Sequence, residues 1–139
     1  MSSNPPAFSA STPVPSRAYT TSRFLCIWGG PLVFLLILLL GAIGVTGVGV
    51  VKFVVLASAV YHVQRWLKDS PGDRVAAVAR RTGFWHLGVM VAGEVLGVLV
   101  FLATSSMTAL AVLLLLQLVA LVGISVYGHM GSKDALEDL

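Results

Sequence analysis

The chain has 139 residues, 57% of them hydrophobic and 11% charged, with a formal net charge of +3 and a mean hydropathy of +0.92. A soluble domain carries about a quarter charged residues, so the composition excludes a water-soluble globular protein. The single cysteine, Cys26, excludes an internal disulfide and any two-cysteine metal motif.

Residues 1–23 are rich in Ser, Thr and Pro and hold no acidic residue, so this N-terminal tail is expected to have no fold of its own. No basic head precedes an apolar core there, which argues against a secretory signal. Ser-rich, acid-free composition is also a mark of organellar transit peptides. Two arginines are weak support, however, and proline disfavours the amphipathic helix such peptides form.

Residues 24–67 are nearly all apolar, interrupted by GAIGVTGVGV. A helix needs about 20 mostly apolar residues to cross a bilayer. Two spans fit, 24–44 and 48–67, joined by a tight turn near Thr46 and Gly47. The rival is one span followed by a helix over 52–66 lying along the interface. That rival needs a strongly polar face, which VVKFVVLASAVYHVQ does not supply. Pro31 is expected to kink the first span, with Gly29 and Gly30 easing the bend.

The sequence SPGD at 70–73 reads as a helix start, with Ser70 as N-cap, Pro71 at the first helical position and Asp73 near the positive end of the dipole. The third helix therefore begins ahead of its apolar segment, 82–103. The fourth span, 107–128, follows after a short polar turn and completes a hairpin. Residues 129–139 form a short polar tail.

Basic residues cluster in two places: Arg17 and Arg23 before the first span, and Arg65, Lys68, Arg74, Arg80 and Arg81 between the second and third. With four spans both clusters fall on one side, as the positive-inside rule requires; with three they would not. Trp28, Trp66 and Trp85 lie near the same proposed inner ends, where aromatic rings favour the headgroup level. The expected fold is an all-α integral membrane bundle of four transmembrane helices, as two antiparallel hairpins over 24–128, with both termini inside.

Charges within spans are expensive and are candidates for function. By helical rise, Lys52 lies roughly 6 Å, Glu94 roughly 13 Å and Gln117 roughly 15 Å from the outer end. Glu94 is thus expected to be held by Lys52, with Gln117 near enough to donate a hydrogen bond. The bland reading is an ion pair that sets helix register; the sharp one is a proton or cation site. A lone carboxylate without a relay favours the first.

His62 and His86 fall at similar heights on neighbouring helices. Two facing imidazoles can ligate a haem iron, and Ser58, Ala59, Gly83 and Gly93 nearby would make room for a haem b. An interfacial histidine beside Trp and Arg is nevertheless the commoner case. His129, just past the fourth span, is expected to be solvated. Arg74, Arg80 and Arg81 are expected to meet anionic lipid or an acidic partner. Glycines spaced four apart let helix backbones approach closely in lipid, either within the chain or against another protein.

The sequence shows no nucleophile paired with a base, no phosphate-binding loop and no zinc spacing. The basic loop is too short for a nucleic-acid module. The expectation is therefore a small non-catalytic subunit of a larger membrane complex, of respiratory, photosynthetic or ATP-synthase type. Its partners would be other membrane subunits and lipids, in a bacterial inner membrane or an organellar inner or thylakoid membrane. Two other classes compete with it: a small oligomeric transporter or channel using Glu94 and Lys52, and a haem-binding membrane anchor using His62 and His86.

Overall fold

The computed structural model describes residues 14–138. Most of the N-terminal tail, residues 1–13, lies outside them. Four α-helices make up the described chain: α1 (Arg17–Ala42), α2 (Gly49–Asp69), α3 (Arg74–Thr104) and α4 (Met107–Glu137). Helices α1, α3 and α4 are each long and apolar enough to cross a membrane. These three mark a membrane protein. Helix α2 is not among them: Lys52, His62, Gln64 and Arg65 among its 21 residues lower its hydropathy.

The helix ends follow local chemistry, and they correct the expected cap of the third helix. Helix α1 starts at Arg17, seven residues before the apolar segment, because the Ser16 side chain accepts the Tyr19 N–H at 3.1 Å. It runs unbroken through Pro31 to Ala42. The turn to α2 uses Gly44 and Gly47 at positive φ, where a side chain would be strained. Ser70 closes α2, its N–H bonding to the Trp66 carbonyl, and does not open α3. The cap of α3 is Asp73, whose carboxylate accepts the Ala76 N–H at 3.0 Å. Ser105 turns the chain in the left-handed conformation, and Ser106 caps α4 through the Ala109 N–H. Helix α4 then continues to Glu137, so most of the expected polar tail is helical, about two and a half further turns.

The helices pack as an antiparallel ring, each touching its sequence neighbours, with α1 also touching α4. Helices α1 and α3 also touch across the middle, while α2 and α4 do not meet among the described residues. Small residues permit the diagonal contact. At Gly83 a Cβ would collide with Val60 and press on Cys26; at Gly30 it would strike the His86 ring. Buried apolar side chains form two groups, one around Cys26, Val60, Val63 and Ala79, the other Phe34, Leu56, Met90 and Leu121.

Burial is uneven along the bundle. Helix α1 has no buried residue beyond Phe34, α3 none beyond Met90, α2 none before Lys52 and α4 none before Gln117. The molecule thus has a packed end, near the α2–α3 turn, and an open end, near the turns at 43–48 and 105–106.

Candidate functional site

Where packing gives way to the open end, three polar side chains meet the boundary. Lys52 of α2 and Glu94 of α3 form an ion pair. The pair is lopsided: the Lys52 side chain is 6% exposed and that of Glu94 54% exposed. The Lys52 ammonium also lies 5.1 Å from the centre of the Phe53 ring, a cation–π contact. Gln117 does not bond to Glu94. Its amide is seated against Gly93, where a Cβ would come within 2.3 Å, and donates to the Val89 carbonyl at 3.4 Å. The reason is geometric: Gly93 precedes Glu94 by one residue, or about 100° around a helix. The face that receives Gln117 is therefore not the face that carries the carboxylate.

These residues close one end of a groove of about 310 Å³ between α3 and α4. Its walls are Gly97, Val98, Phe101 and Leu102 of α3 with Leu110 and Leu114 of α4. A Cβ on Gly97 would reach only ordinary contact, 3.7 Å from Leu110. The site is an apolar trough with a half-open carboxylate at its floor.

His86 is the centre of the packed end and fully buried. Its Nδ1 lies 3.0 Å from the Cys26 carbonyl oxygen; Nε2 lies 3.1 Å from Ser125 Oγ and 3.2 Å from the Leu121 carbonyl oxygen. Each ring nitrogen thus faces a carbonyl oxygen, and Nε2 also has the Ser125 hydroxyl within reach, so both nitrogens have hydrogen-bond partners. His86 thereby ties α1 to α3 and α4.

That arrangement does not suit haem. Neither His86 nitrogen is free, and Gly30 lies flat against the ring. The glycines expected to make room are filled, Gly83 by Val60 and Cys26, and Gly93 by Gln117. His62 sits elsewhere, with its ring edge-on to Tyr61 and beside a cavity shared with Ser16, Arg65 and Asp69. His129 is exposed, its ring 5.6 Å from that of Trp28.

The three arginines of α3 differ in company. Arg74 makes an exposed ion pair with Asp138 at 3.4 Å, and Arg80 donates to Gln64 at 3.0 Å. Arg81 lies over the Tyr127 ring, 6.0 Å from its centre.

Sequence reasoning missed a knot at the packed end. Asp73 accepts the Trp66 indole N–H at 2.8 Å and the Tyr19 hydroxyl at 3.3 Å, besides its cap bond. Tyr19 and Trp66 stack with ring centres 4.3 Å apart, joining α1 to α2. Burial pushes the Asp73 carboxyl upward, but the bonds from Ala76, Trp66 and Tyr19 outweigh it and hold it below the usual carboxylate range. The sequence signal is an acid at a helix start with a Trp seven residues earlier, a spacing that the dipole reading of Asp73 leaves unused.

The chain matches no protein-family model, no curated protein and no solved structure.

Proposed function

We propose that the protein is a small non-catalytic subunit of a larger membrane assembly, and that a partner's transmembrane helix occupies the groove between α3 and α4 at the open end. One observation carries this reading. Glu94, although paired with Lys52, is half exposed in a trough with apolar walls, at a depth where a carboxylate facing hydrocarbon is costly. A helix laid against Gly97 and Val98 would cover it, and the small residues there permit close approach.

Four crossings accompany the proposal. Helix α2 is less apolar than the others, but it packs against α1 and α3 from Lys52 to Leu67. Its intramembrane charge is thereby buried and paired, which is how a span carrying Lys is tolerated. Both termini then share the side that holds the basic clusters. The membrane would be a bacterial inner membrane or an organellar one.

The test is a photo-crosslinking amino acid placed at Val98, which lines the groove, and at Val119, which is exposed on α4 away from it. Val98 should capture one discrete membrane protein in native membranes, and Val119 should not. Glu94→Gln should reduce that capture several-fold. Cross-links at Val98 to lipid alone would overturn the proposal. Cross-links to a second copy, joined to ion flux in vesicles that Glu94→Gln abolishes, would replace it with the oligomeric channel.

A further inference from the structure

At the packed end, two cavities of about 550 and 570 Å³ flank the same pair of side chains, Arg81 and Trp85. The larger lies between α3 and α4 and runs from Arg81 and Tyr127 past Ile124 and Gly123 to Ala120. From Tyr127 to Ala120 is about 10 Å of helix. A Cβ on Gly123 would touch nothing within 4 Å, so the glycine leaves a notch rather than a packed contact.

Some of the chain's charges are already paired. Lys52 is paired with Glu94, Arg74 with Asp138 and Lys133 with Glu137. Asp73 is taken up by Tyr19, Trp66 and Ala76. Arg81, like Arg17, Arg23, Arg65, Lys68 and Arg80, has no carboxylate partner among the described residues; what sets it apart is that it lines this groove, with its guanidinium over the Tyr127 ring. It stands one residue before the apolar stretch of α3, with Trp85 one turn deeper. That is the level where headgroups lie and tryptophan is enriched.

We propose that this groove binds a single anionic glycerophospholipid. Its phosphate would accept hydrogen bonds from the Arg81 guanidinium, which suits phosphate oxygens geometrically. One acyl chain would lie past Trp85 over the Gly123 notch. The two requirements, an unpaired guanidinium at headgroup depth and an apolar channel leading from it, coincide only in a lipid; a free phosphate has no use for the channel. The site is some 13 residues along α3 from Glu94, or about 20 Å, and does not depend on the partner-helix proposal.

The experiment is native mass spectrometry of the full chain released from nanodiscs of equal phosphatidylglycerol and phosphatidylcholine. The wild type should retain phosphatidylglycerol about fivefold over phosphatidylcholine, the ratio expected from one arginine at an anionic surface. Arg81→Gln should remove that preference, and Arg74→Gln, whose arginine is already paired, should keep it. Gly123→Leu, whose Cβ meets nothing within 4 Å, should fill the notch and cut retention of both lipids at an undiminished melting temperature. Excess inorganic phosphate should displace neither lipid. Equal retention of the two lipids by the wild type would overturn the site, as would a preference that survives Arg81→Gln. Retention unaffected by Gly123→Leu would remove the acyl chain from this groove, and displacement by phosphate would reduce the site to simple anion binding. Loss of an acidic protein on Arg81→Gln, with lipid unchanged, would assign the arginine to a protein contact instead.

Discussion

A recurring contact in this bundle is a side chain seated where a neighbouring helix has only a hydrogen. His86 lies against Gly30, Gln117 against Gly93 and Thr82 against Gly128. Each polar group keeps a hydrogen bond while the backbones stay close: His86 to Cys26, Gln117 to Val89 and Thr82 to Val78. In lipid, where apolar surface gives helices little reason to associate, close packing and such bonds are what remains. Gly30→Ala makes the point measurable. Alanine favours a helix over glycine by roughly 0.5–1 kcal/mol, but the new Cβ would sit 2.5 Å from a fully buried imidazole. Overpacking of this kind costs about 1–3 kcal/mol, so the net change should be destabilising. Gly41→Ala, with nothing within 4 Å, should be neutral or stabilising. Thermal unfolding in detergent separates the two, and equal melting temperatures would show that His86 moves aside freely.

At the scale of elements, the packed end is held by one carboxylate that caps α3 while bonding to residues of α1 and α2. Because Asp73 is held below its ordinary value of about 3.9 in the folded chain, its contribution is present above that value. It is lost as the pH falls through the folded one. Stability should therefore decline progressively below about pH 5. Replacing the charge with an amide weakens bonds that are charge-assisted, and loss of a cap costs about 0.5–2 kcal/mol. Asp73→Asn should thus be less stable at pH 7 and show a shallower acid decline than the wild type. Tryptophan fluorescence reports it directly, since the Trp66 indole is one of the donors. An unchanged acid profile in the variant would assign the decline to other carboxylates.

For the whole molecule, the question is whether α2 crosses. In a Cys26→Ser background, cysteines at Thr46 and Ser105 should label from one side of the membrane and one at Gly72 from the other. If α2 lay along the interface instead, residues 46 and 72 would share a side and residue 105 would be opposite. Labelling of Thr46 and Ser105 from opposite sides would therefore overturn the four-span bundle. The buried packing of Lys52, Leu56, Ala59, Val63 and Leu67 within the bundle favours the crossing, because a helix lying flat would not present that whole face to α1 and α3.

Composition alone determined that the protein is helical and belongs in a membrane, because apolar runs of span length have few other homes. The helix ends at Ser105 and Ser106 lay close to where a short polar turn placed them, since such turns act locally. Tertiary structure decided what each polar side chain does. Height along a helix can be counted from sequence, which brought Lys52 and Glu94 within reach of each other's side chains. The direction a residue faces depends on how the helices rotate against one another. That rotation turned Gln117 onto Gly93 rather than Glu94, and closed His86 among carbonyls rather than leaving it open. It is set by which glycines meet which side chains, a pairing between distant parts of the chain that no local pattern encodes.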